Sequence, residues 1–165
     1  MKRVMIVLWL VLVLAASAAF GQEDPLAQMG KMRLETARNE VRVIKEWSGK
    51  LQTFQSKLKV SGQDLEKGLV FGDHEVLQSI NRMIGSQRTV IQVVRRMLED
   101  SRTSLQIEVT SGCKEGAAFP FETEDCERFK SVIRETDLTL KSPEPKVLVD
   151  AWEKAKKAYP TIFKE

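Results

Sequence analysis

The sequence predicts an all-α protein, in which a long antiparallel helical hairpin carries two shorter C-terminal helices packed at one end, as in a three- or four-helix bundle. Two long segments repeat apolar residues at steps of three and four, which is the pattern of an amphipathic helix. A segment with three glycines separates them. No segment shows the sustained alternation of apolar and polar residues that a strand requires.

The first helix is predicted over residues 25–59. Asp24 and Pro25 provide an N-cap and a first-turn proline, and Ser61-Gly62 is typical of a helix end. At 1.5 Å per residue, this helix would be about 50 Å long. Its apolar stripe consists of Leu26, Met29, Leu34, Ala37, Val41, Ile44, Leu51, Phe54 and Leu58.

The second long helix is predicted over residues 73–109, with Gly72-Asp73 as its cap. Between the two helices, Gly62, Gly68 and Gly72 interrupt the helical pattern, so a short helical turn is expected at the tip of the hairpin. The stripe of the second helix consists of Val76, Ile80, Met83, Ile84, Val90, Ile91, Val94, Met97, Leu98 and Leu105.

Two shorter helices are predicted over residues 123–140 and 143–159. Thr123 is the expected N-cap of the first, with Glu124 and Asp125 in its first turn, where carboxylates favour the helix dipole. Each is about half as long as the hairpin. They are therefore expected to cover the end near the cysteines and to leave the far arm of the hairpin with less protection.

The N-terminal residues 1–21 have the pattern of a secretory signal peptide. Lys2 and Arg3 precede an apolar run, and small residues follow it. We expect cleavage after Gly21, with Ala16-Ser17-Ala18 as a second candidate site, leaving residues 22–165 as one helical domain without a stable membrane span. The protein is then exported to a periplasmic or extracellular compartment, most simply in a bacterium.

The two cysteines, Cys113 and Cys126, are predicted to form a disulfide. An exported chain enters an oxidising compartment, where two cysteines in a small domain usually pair. Their spacing does not match the C-x-x-C motif of thiol oxidoreductases, and His74 is the one histidine, so four zinc ligands are not available. The disulfide would hold the loop containing the sequence AAFPF between two helices.

The charge of the chain argues against nucleic-acid binding. It has 26 basic and 23 acidic residues, and cleavage of the signal peptide would remove two of the basic ones. Arg88, Arg95 and Arg102 recur every seven residues and form a basic stripe, a candidate surface for an acidic partner or lipid headgroups. The alternative is an ordinary polar helix face with charge pairs along the helix.

A partner-binding surface is predicted on the far arm of the hairpin, because a dense set of apolar residues lies where the least covering structure is expected. The alternative is that these residues fold back as a structural plug at the tip. The set consists of Phe54, Leu58, Leu65, Leu69, Val70 and Phe71.

No catalytic motif accompanies this architecture, and the sequence predicts neither a metal site nor a cofactor. It lacks a G-x-S-x-G nucleophile elbow, a Glu-x-x-His pair, a C-x-x-C-H haem site and a phosphate-binding loop. The plan of signal peptide, long hairpin and short helices is similar to that of periplasmic helical chaperones and of minor pilus subunits of type IV secretion systems, a similarity of plan that does not establish function.

These observations favour a non-enzymatic helical binding or assembly protein that acts on another protein of the cell envelope, with self-association left open. One alternative is a minor pilus-type subunit of a secretion system. Another is an enzyme or small-ligand binder with a pocket between the hairpin and the C-terminal helices, gated by the AAFPF loop.

Overall fold

The computed structural model describes residues 25–164, which form four α-helices and, within that range, no strand. The helices are α1 (Pro25–Phe71), α2 (His74–Gly112), α3 (Thr123–Leu140) and α4 (Lys146–Ala158). The predicted all-α class with a long helical hairpin is confirmed. The predicted signal peptide lies outside the described residues.

The α1–α2 hairpin is an antiparallel coiled coil with a seven-residue repeat. We letter the seven positions of the repeat a to g, with Ala37 of α1 and Leu77 of α2 at position a. From Ala37 to the end of α1, and from Leu77 to the end of α2, every residue at position a is buried. Such a spacing keeps one seam of each helix against the other. The buried residues at position a are Ala37, Ile44, Leu51, Leu58 and Leu65 in α1, and Leu77, Ile84, Ile91, Leu98, Leu105 and Gly112 in α2.

The first helix does not end near residue 59, as predicted from Ser61-Gly62. It continues to Phe71 and has 47 residues in total. At 1.5 Å per residue it is about 70 Å long. Gly62 and Gly68 are helical, and both are sites of close approach rather than breaks. A Cβ at Gly62 would lie 2.7 Å from Leu148 Cα, and one at Gly68 would lie 3.2 Å from Leu77 Cδ2.

The C-terminal helices cover both ends of the hairpin, which corrects the prediction that they cover only one. α3 and α4 run in series from the base of the hairpin to its tip. Near the base, Arg38 in α1 pairs with Asp125 in α3. Near the tip, Lys154 in α4 pairs with Glu66. Together α3 and α4 take the place of a third helix beside the hairpin, and we call this pair of helices the third strand of the bundle. The far arm of the hairpin is therefore covered.

Cys113 and Cys126 lie at disulfide distance, with the sulfur atoms 2.08 Å apart and the Cα atoms 5.7 Å apart, as predicted. They connect the end of α2 to the first turn of α3. The loop between them packs against the helix ends: Phe121 lies against Gly112, where a Cβ would come within 2.5 Å of its ring, and Phe119 lies against Gly30. This loop therefore sets where the third strand begins.

The helix over residues 123–140 has its predicted bounds, but its predicted cap is not formed, and the start of the last helix is shifted by three residues. Asp73 caps α2 as expected, since its Oδ1 accepts hydrogen bonds from the backbone N–H groups of Glu75 and Val76. Thr123, by contrast, is the first residue of α3, and the preceding Glu122 makes no side-chain capping bond. The last helix begins at Lys146 rather than at residue 143, because residues 142–145 form the linker between α3 and α4.

Candidate protein-binding surfaces

The predicted partner-binding set divides into core residues and two exposed tip residues. Leu58 and Leu65 are buried in the position-a seam of α1, so they cannot reach a partner in the folded protein. Phe54 and Leu69 are half-buried and pack against the core. The other two residues, Val70 and Phe71, are 81% and 83% exposed. The covered arm explains this correction, because α4 occupies the space that the sequence interpretation left empty.

The tip that carries Val70 and Phe71 is a short, tied turn. Gly72 donates its N–H to the carbonyl of Gly68 at 3.0 Å and has a φ of +68°, a conformation that glycine adopts without a steric cost. On the other side of the turn, the ring of His74 meets the ring of Tyr159 edge-on at 5.3 Å. Two apolar side chains are thus held in solvent at the end of a rod by a turn that hydrogen bonds and ring packing fix in place.

A second exposed apolar surface runs along the hairpin on the side opposite the third strand. Within the described residues, the exposed large apolar side chains of α1 and α2, except Val70, all fall on positions c and g of the repeat. We call this surface the outer face. Its exposed apolar residues are Met29, Met32, Val60 and Phe71 in α1, and Val76, Met83, Val93, Met97 and Ile107 in α2.

Two aromatic residues of α1 border the outer face, each with a lysine over its ring. Lys50 Nζ lies 4.0 Å from the centre of the Trp47 ring, and Lys57 Nζ lies 5.2 Å from that of Phe54. Lys50 also donates a hydrogen bond of 2.6 Å to Glu46. This hydrogen bond and the positive charge of Lys50 lower the pKa of the Glu46 carboxyl. The outer face therefore combines apolar residues with a few cationic groups at its α1 edge.

The basic stripe of α2 lies on the opposite side and attaches the third strand to the hairpin. Arg88 makes two hydrogen bonds to the Glu144 carboxylate, at 2.9 and 2.8 Å, and lies 4.4 Å from the centre of the Trp152 ring. Arg95 donates to the carbonyl of Ser142, and Arg102 makes two bonds to Asp137, at 3.0 and 3.1 Å. All three are part-buried in these contacts, so the stripe is not an open surface for an acidic partner.

One further position extends this stripe toward the tip. Asn81, seven residues before Arg88, donates a hydrogen bond of 2.8 Å to the carbonyl of Ile162. Four residues at equal spacing on α2 thus contact the C-terminal chain in reverse order, as an antiparallel third strand requires. The period of this stripe is visible in the sequence, but its partners are 35 to 81 residues away in the chain.

The grooves of the described part of the chain are shallow. Two grooves lie between the hairpin and α3, where the alternative hypothesis places a pocket. One, against α1, has a volume of about 260 Å³, and the other, beside Gln106 of α2 and Arg134 of α3, has a volume of about 430 Å³ and is open to solvent. A larger, open groove of about 480 Å³ lies on the outer face beside Val60 and Met83. No cluster of metal-ligating side chains occurs within residues 25–164.

The outer face was not among the predicted sites, although the sequence contains a signal for it. Val76, Met83, Val90 and Met97 follow each other every seven residues, one position before the buried residues Leu77, Ile84, Ile91 and Leu98. In the sequence, both sets belong to one broad apolar stripe. The seam between two helices needs only part of such a stripe. The width of the apolar stripe on α2 therefore indicates a second apolar surface.

None of the helices in the part of the chain that the structure describes is long and apolar enough to cross a membrane. Comparison with models of known protein families, with curated proteins and with solved structures finds no match to this chain.

Proposed function

We propose that this chain is an exported, non-enzymatic helical binding or assembly protein, which engages another protein of the cell envelope through the tip of its hairpin. The observation that carries the proposal is the exposure of Val70 and Phe71, neighbouring apolar residues at the end of a rod about 70 Å long. Apolar side chains that are held in water by a fixed turn favour contact with a partner.

The rest of the molecule supports a role in presenting the tip. The coiled-coil seam and α4 extend to the end of the hairpin, where Tyr159 packs against His74 and lies close to Gly72 of the turn. Such a rod holds a small contact area far from the disulfide-linked base. The export step is supported by the signal-peptide pattern in residues 1–21 and by the pairing of both cysteines.

The experiment is capture of envelope proteins by the immobilised, processed protein. We expect the Val70→Ser/Phe71→Ser variant to keep the helix content and melting temperature of the wild type while it loses the captured partner. The matched control is Leu138→Ser, which removes an apolar side chain that is 72% exposed on α3, away from the tip. Unchanged capture by the tip variant, or equal loss with the control, contradicts the proposal.

A further inference from the structure

We propose that the α2 part of the outer face, from Val76 to Met97, is covered by a second copy of the chain, which packs its α2 antiparallel to the first α2 about a two-fold axis between residues 86 and 87. This inference goes beyond the proposed function, which concerns the tip. It rests on the spacing of the apolar residues, on the absence of charge along the seam, and on two charged groups at its edge.

The apolar spacing maps onto itself under this symmetry. Val76, Met83, Val90 and Met97 lie at position g, seven residues apart. In an antiparallel pair centred between residues 86 and 87, Val76 meets Met97 of the second copy, and Met83 meets Val90. A two-fold interface requires this self-complementarity, since the same patch serves both partners.

The seam carries no charge over this length. From Val76 to Met97, the residues at positions c and g are apolar or serine. Val76, Met83 and Met97 are each at least 40% exposed, whereas Val90 is half-buried and also packs against the core. The seam is about 32 Å long at 1.5 Å per residue, a length over which two helices can interdigitate in the manner of a coiled coil.

Charge complementarity selects a second copy as the occupant. Lys57 and Asp64 of α1 line the outer-face groove beside Met83, and within the described residues neither makes an ion pair. Asp64 lies beside Met83 on this groove. Because α1 and α2 run antiparallel, the residue seven positions earlier in α1, Lys57, then lies beside the residue seven positions later in α2, Val90. The two-fold axis brings Lys57 of each copy to Asp64 of the other, so one pair of opposite charges forms twice.

Cysteine crosslinking tests the register directly, because both native cysteines are already paired. Ser86 and Ser79 are exposed serines at position c of α2. We expect the Ser86→Cys variant to form a crosslinked dimer on mild oxidation, since residue 86 lies next to the axis. The matched control, Ser79→Cys, places the two thiols 15 residues apart along the pair, or about 22 Å, and is expected to remain uncrosslinked.

Charge reversal and sedimentation test the occupant. We expect a dimer in a dilution series by analytical ultracentrifugation, and a monomer for Met83→Lys, a substitution at a half-exposed site that leaves the fold intact. Lys57→Asp and Asp64→Lys should each weaken dimerisation by about tenfold, and the double variant should restore it. A monomeric wild type, a dimer that Met83→Lys does not affect, or equal crosslinking at residues 79 and 86 overturns the proposal, because each leaves the outer face to another occupant or another register.

Discussion

At the scale of single residues, glycines mark the points where helices approach each other most closely. Gly62 lies within α1, and a Cβ there would come 2.7 to 3.0 Å from the backbone and Cβ of Leu148 in α4. Gly49 lies in the same helix with nothing within 4 Å of such a Cβ. The same residue type therefore has opposite roles thirteen residues apart, and sequence alone does not distinguish them.

This contrast predicts opposite effects of one substitution. Gly62→Ala should lower the free energy of unfolding by about 1 to 3 kcal/mol, because the α4 backbone must move away from α1. Gly49→Ala should raise it by about 0.5 to 1 kcal/mol, since alanine favours the helix and meets no neighbour. Urea unfolding followed by circular dichroism measures both. If Gly62→Ala is as stable as Gly49→Ala, then α4 does not approach α1 as the structure has it.

At the scale of elements, the disulfide is a cross-link between the hairpin and the third strand, in addition to the loop that joins them. It closes a loop of twelve intervening residues, so the chain-entropy model gives a contribution of about 3 kcal/mol. The Cys113→Ser/Cys126→Ser variant should have a free energy of unfolding that is lower by this amount, measured by urea unfolding, while it keeps its helix content. The control is wild type under reducing conditions, which should show the same loss. Peptide mapping that finds free thiols in the protein purified under oxidising conditions would contradict the pairing.

The sequence predicts these elements to different degrees. The helix over residues 123–140 and the start of α2 follow from apolar period and local capping chemistry, which act within a few residues. The length of α1 does not follow from local patterns. Gly62 and Gly68 locally indicate a helix end, but in the structure they lie inside the helix, where α4 and α2 pack closely against them. The basic stripe shows the same limit: its spacing is local, whereas Glu144 and Asp137 are distant in sequence.

At the scale of the whole molecule, the third strand decides which surfaces remain exposed. It covers one side of the hairpin from base to tip, so Leu58 and Leu65 become core and the free apolar surface moves to the outer face and to Val70 and Phe71. The candidate site was therefore predictable only in part. Its tip follows from the hairpin itself, but the burial of its other members depends on where α4 lies, and no local pattern indicates that position.

A pair of neighbouring residues in α4 tests this arrangement. Leu148 is fully buried against Gly62, whereas Val149 is 43% exposed. Leu148→Asp places an unpaired carboxylate in the core and should release α4, lowering the free energy of unfolding by several kcal/mol. It should also uncover the apolar residues of the far arm, which a rise in the binding of a fluorescent hydrophobic dye would report.

Val149→Asp is the matched control and should melt close to wild type, because its carboxylate remains in water. Two outcomes contradict the arrangement. Equal destabilisation by both substitutions would mean that α4 presents a different face to the hairpin. A Leu148→Asp variant with wild-type stability and dye binding would mean that α4 does not cover the arm, and the far arm would then return as the larger partner-binding surface that the sequence first predicted.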